Sequence, residues 1–166
     1  MFALKPISPA SVPGALAKAE RYRLLNEPSE AESICRDVLE VDPQHQQARI
    51  SLVLALTDRI PEDARAFTEA IANTAHLEES YDRAYFAGIA WERRARARLN
   101  QGGHDSHHQA YDWILRAMGL FEMAEKVRAD GNDDAVLRWN TCVRMLREHP
   151  ELGPREQEAS APILSE

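Results

Sequence analysis

Cysteine is nearly absent from this chain: only Cys35 and Cys142 occur among its 166 residues, far apart. Spacing alone does not decide between a disulfide and two free thiols. Each cysteine, however, falls on the apolar stripe of a predicted helix, where a free thiol packs as a small hydrophobe. Surplus positive charge is missing too. A net charge of -7 and a pI near 5.4 argue against a general nucleic-acid binder, which needs Lys and Arg against phosphate, and against a basic membrane-surface protein. No run approaches the ~20 apolar residues of a membrane span. The stretch Met1 to Gly14 lacks the apolar core of a signal peptide and carries three prolines, so the chain is expected to be cytoplasmic. Also missing are a Gly-rich phosphate loop, a nucleophile elbow and a zinc-helix signature. No strand-type alternation competes anywhere.

What is present is helical. Apolar residues make up 44% and charged residues 28%, ordinary for one globular domain with a real core. After a loose lead-in over residues 1–10, Ser11, Val12 and Pro13 predict a first helix running to about Leu25. Ser29 and Glu32 read as a capping box for a second helix. Its stripe is Ala31, Ile34, Cys35, Val38 and Leu39, and Asp42-Pro43 stops it. The third helix spans about Gln46 to Asp58 and is apolar nearly all round its middle, as an inner helix would be. Pro61, Glu62 and Asp63 open the fourth, with the stripe Ala64, Phe67, Ile71 and Ala75. Ser80 caps a fifth, from about Tyr81 to Asn100, ended by Gly102-Gly103. Ser106 and Gln109 read as a capping box for a sixth, with Ala110, Trp113, Ile114, Ala117, Met118, Phe121 and Ala124 on one face. Asn132 caps a seventh, with Val136, Trp139, Cys142, Val143 and Leu146 inward. The helical domain is thus expected over 11–148, and residues 149–166 as a mostly disordered tail.

The segment from Ala15 to Pro43 resembles a tetratricopeptide repeat, a 34-residue helix–turn–helix. Ala19 takes a small site, Tyr22 an aromatic site and Ala31 the next small site; Cys35 replaces the usual aromatic, and Pro43 closes the unit. Leu52-Val53, Leu56, Ala64, Phe67 and Ile71 resemble a second unit without the closing Pro. Trp91, Ala95, Gly102, Ala110, Ile114 and Ala117 resemble a third. The resemblance implies an all-α fold: a right-handed stack of three antiparallel helix pairs with the seventh helix as a cap. On this register the third pair is extended. Its first helix starts about two turns early and its second runs about two turns late, so the extensions lie side by side. A plain helical bundle is the alternative.

The resemblance also implies function. First helices of such units line a groove, which here would show Leu16, Glu20 and Arg23, then Ile50 and Leu54, then Ile89, Glu92 and Arg96. That mixture suits a peptide or helix with apolar and charged contacts. Some family members clamp a terminal carboxylate with Lys and Asn; Leu16 and Glu20 stand in those places, so no such clamp is expected. The reading is a non-enzymatic interaction module or adaptor without a cofactor. A chaperone for secreted proteins is a narrower form of it, and self-association is left open.

Two clusters compete for attention. His104, His107 and His108, with Asp105, are the one metal-like group. A metal-binding enzyme would have to be built on that loop, which otherwise reads as an exposed polar turn. Arg93, Arg94, Arg96 and Arg98 form a basic run. It reads either as an anion contact or, with more weight, as a solvated face paired to nearby acids. Trp91, Trp113 and Trp139 read as core.

Overall fold

Prolines, asparagines and glycines punctuate the chain where helices start and stop. The computed structural model describes residues 2–155, and these are all-α with no strand. A single 3-10 turn, Pro9–Ser11, leads into α1, Val12–Leu24. Then follow α2, Pro28–Val41; α3, Gln46–Arg59; α4, Ala64–Thr74; α5, Ser80–Gln101; α6, Ser106–Lys126; and α7, Asp134–Glu148.

The boundaries follow local chemistry. Pro13 sits in the first turn of α1, where its missing N–H costs nothing. Asn26, with φ +60°, takes the left-handed position that closes that helix. His45 caps α3 by accepting the Ala48 amide on Nδ1, and Asp63 caps α4 by accepting the Arg65 amide. Gly102, at φ +65°, ends α5 in a conformation that glycine tolerates best. Asn132 accepts the Asp134 amide at the start of α7.

The two expected capping boxes do not form. Pro28, with its φ preset, opens α2 one residue before Ser29, so Ser29 lies inside the helix and makes no cap. Glu32 turns instead to Arg36 and Arg59. Likewise Asp105, at φ +61°, precedes α6, Ser106 is its first residue, and the Gln109 side chain accepts on Oε1 from Arg98 Nε at 2.7 Å. Ser80 is also a first helical residue rather than a cap.

Each helix packs on the next in chain order, and the odd-numbered helices also touch in sequence: α1 on α3, α3 on α5, α5 on α7. One apolar cluster spans α1 to α5, centred on Leu52, Val53, Leu56 and Phe67; a second joins α5, α6 and α7 around Ile89, Ile114, Phe121 and Cys142. Alanines sit where helices cross closely, and Gly88 goes further. A Cβ there would lie 2.5 Å from the Phe121 ring, so the ring packs directly on the α5 backbone. The long α5–α6 pair, of 22 and 21 residues, is knitted along its extension by a Tyr81–Tyr85 stack and a Tyr85–Phe121 contact. Tyr81 Oη donates to Asn132 Oδ1 at its far end.

Beyond α7 the chain lies against the start of α6. Leu152 is buried, His108 Nδ1 donates to the Gly153 carbonyl at 2.9 Å, and Arg155 pairs with Asp105 at 2.9 Å. Most of the expected loose tail, 156–166, lies outside the described residues.

Candidate functional site

The row of odd-numbered helices carries two hollows. Between α1 and α3 lies a cavity of about 300 Å³, walled by Leu16, Ala17, Glu20 and Arg23 on one side and Gln47, Ser51 and Leu54 on the other. Between α5 and α7 lies one of about 280 Å³, with Arg96, Asn100, Thr141 and Arg144 on its walls. The structure therefore brings Leu16, Glu20, Arg23 and Leu54 together, as the sequence suggests. Ile50 is half-buried one turn before Leu54 and stays off the lining. Arg96 stands exposed in the second hollow.

Ile89 and Glu92 require correction. Both were expected open on the groove, yet they are 2% and 1% exposed. Ile89 packs into the α5–α6–α7 cluster, and α7 reaches over Glu92 through Arg138. Glu92 accepts from Arg96 Nε at 3.1 Å, one turn along its own helix, and from Arg138 Nη1 of α7 at 3.3 Å. It is an interhelical anchor, not a contact for a partner.

Between the hollows runs a line of charge. Asp58 of α3 accepts from Arg23 Nε of α1 at 2.7 Å and from Arg93 Nη1 of α5. Arg93 also reaches Thr57 Oγ1 and the Leu54 carbonyl. Desolvation lowers the Arg93 pKa, Asp58 opposes that, and Arg23 and Arg138 push it down again. Three guanidiniums thus crowd one face of an acidic protein. Arg138 goes the other way: burial lowers it, but Glu92 and Tyr85 outweigh burial and raise it.

Asp58 and Arg138 escaped the sequence reading, although one signal for Asp58 was there. Arg23 and Asp58 are 35 residues apart, and so are Asp58 and Arg93. An acid midway between two arginines, at equal intervals on alternate helices, is a pattern the sequence does contain.

The basic run divides. Arg93 and Arg96 take acids on the odd-helix face. Arg98 braces the α5–α6 loop, donating to Gln109, to the Gly102 carbonyl and to the His104 carbonyl. Arg94 leans over Phe67 and Trp113. The histidines disperse: His104 and His107 are exposed, while His108 is tied to Gly153. Among the described residues no three His, Cys, Asp or Glu side chains gather to hold a metal, and no helix is long and apolar enough to cross a membrane. Cys35 and Cys142 are buried free thiols. Burial pushes their pKa values up to about 11 and about 12, which keeps both protonated and unreactive.

Compared with known proteins, the chain matches no family model, no curated protein and no solved structure.

Proposed function

We propose that this chain is a non-catalytic binding module of the tetratricopeptide type, working in the cytoplasm, whose odd-helix face receives a peptide or helix of a partner protein. The observation that carries this reading is the line Arg23–Asp58–Arg93. Its members stand at equal 35-residue intervals on α1, α3 and α5 and meet on one face. Equal intervals of about the 34-residue repeat length, with contact, are what a stack of similar helix pairs produces, because neighbouring units bring nearly equivalent positions side by side. The hollows on either side supply depth. The first offers Leu16, Ala17 and Leu54 to an apolar side chain, and the guanidiniums beside it offer donors to an acidic one.

The test is site-directed photocrosslinking in cells, with a photoreactive phenylalanine at Ala17, on the α1 wall, or at Arg65, exposed on α4. The reading expects one protein adduct from position 17, none from 65, and loss of the first adduct when Ser51→Arg fills the hollow. Equal adducts from both positions, or an adduct at 17 that Ser51→Arg leaves intact, would remove the groove from consideration.

A further inference from the structure

Away from the odd-helix face, α4, α5 and α6 meet in an aromatic cluster. Phe67 and Trp91 pack edge to face at 4.7 Å between centroids, and Trp91 lies 6.3 Å from Trp113. Two arginines rest on it. The Arg94 guanidinium carbon is 4.0 Å from the Phe67 centroid and 4.1 Å from that of Trp113, and Arg116 lies 4.7 Å over Trp91.

Pairing sets Arg94 apart from its neighbours on α5. Within α5, Arg93 and Arg96 each take a carboxylate and Arg98 takes three oxygens. Among the described residues, Arg94 and Arg116 donate to no acceptor at all. Stacking uses the face of a guanidinium and leaves its N–H donors, which lie in the plane, unspent. In a chain with 27 acids and 20 Lys and Arg, two arginines resting on one aromatic cluster without an acid are a local reversal of sign. Beside Arg94 is a hollow of about 120 Å³, to which Phe67, Arg94 and Trp113 contribute together with Ile60 and Ala97. Its lining is apolar at Ile60, Ala64 and Ala97 and polar at Arg94, Arg98 and Gln101. Burial alone shifts Arg94, lowering its pKa, with no carboxylate near enough to oppose it.

We propose that the Arg94 edge, supported by Arg116, is a receptor for a single oxyanion, a carboxylate or a phosphate group. Both rings hold the Arg94 fork in one orientation, so little rotamer freedom is lost when two parallel N–H bonds form. This site lies on α4–α6 and is independent of the groove between α1 and α3.

The experiment is a titration followed through the arginine Nε–H resonances by ¹⁵N NMR, with the Arg94 signal identified by its absence in Arg94→Gln. Inorganic phosphate and acetate are added separately, each against sodium chloride of equal ionic strength. The expected result is a saturable shift of the Arg94 signal with at least one oxyanion. A second readout, the indole N–H shifts of Trp91 and Trp113, should saturate at the same concentration and lose that response in Arg94→Gln. Arg116→Gln, at an exposed position, should weaken binding several-fold, while the control Arg147→Gln on α7 changes nothing. Saturation by phosphate alone names a phosphoryl ligand; by acetate alone, an acidic side chain or terminus. A linear response to both that chloride matches, or binding that Arg94→Gln and Arg116→Gln leave unchanged, overturns the proposal.

Discussion

Glu32 and Glu92 are built alike and end differently. Each is a helical glutamate with an arginine four residues on, Arg36 and Arg96, and each takes a second arginine from another helix, Arg59 and Arg138. The Glu32 group, in the α2–α4 region, opens outward: Arg36 reaches on to Glu69 at 2.6 Å, and Arg59 to Asp63 at 3.8 Å. The Glu92 group, in the α5–α7 region, is closed, its carboxylate side chain only 2% exposed and, among the described residues, without a further acid to share its arginines. The two share the Glu-x-x-x-Arg spacing and little else in local sequence. Both glutamates are buried; what differs is that further acids share the arginines of Glu32, and that sharing decides how much the fold depends on one carboxylate.

The largest effect should therefore come from Glu92→Ala. It strands Arg96 and Arg138 at the α5–α7 contact, and breaking a buried pair costs about 3–5 kcal/mol. Because those arginines are themselves 46% and 33% exposed, water relieves part of the cost, and a loss near about 3 kcal/mol is expected by urea denaturation. Arg138→Met leaves Glu92 its i+4 partner and should cost less. A Glu92→Ala loss below about 1 kcal/mol would erase the distinction between the two groups.

Packing in the α5–α7 region should be nearly as strict. Gly88→Ala drives a methyl into Phe121, and overpacking of this kind costs about 1–3 kcal/mol, against a helix-propensity gain of about 1 kcal/mol. A net loss is expected in thermal melts. Gly119→Ala, on the partner helix with nothing within 4 Å, should raise stability by about 0.5–1 kcal/mol. If both alanines stabilise, Phe121 has room to move and the closed character of this region is wrong.

The same contrast explains what could be read from the sequence. Helix number and helix limits followed from punctuation and period, which are local: α3 was expected to start at Gln46 and does. The outlook of Glu92 was not local. Nothing within a turn of it says that α7, more than forty residues on, folds back over its face, so it was read as a groove residue. Glu32 was misread for the opposite reason. A capping box is a strong short-range pattern, and Pro28 moved the helix start by one residue and left Glu32 free to pair. Leu16, Glu20, Arg23 and Leu54 line one hollow because α1 and α3 pack side by side. Asp58 was missed because a charge at a 35-residue interval is invisible to any window of one helix.

The smallest effect sharpens the comparison through pH. Burial pushes the Glu32 carboxyl up, but hydrogen bonds from Arg36 and Arg59 and their charges outweigh it, so its pKa in the folded chain lies below the ordinary 4.5. A carboxylate that binds its proton less tightly when folded stabilises the fold at every pH above its unfolded value, and loses that contribution as pH falls through its folded value. Glu32→Gln should thus cost about 1 kcal/mol at neutral pH, a modest figure because Arg36 keeps Glu69 and Arg59 keeps Asp63. Measured as the difference in melting temperature from the native chain, the gap should stay constant on mild acidification. It should narrow once pH passes below 4.5 and close at lower pH. A gap that holds or widens there would mean that Glu32 stabilises by its shape and packing, as a neutral side chain could, and that the open network around it contributes nothing as charge.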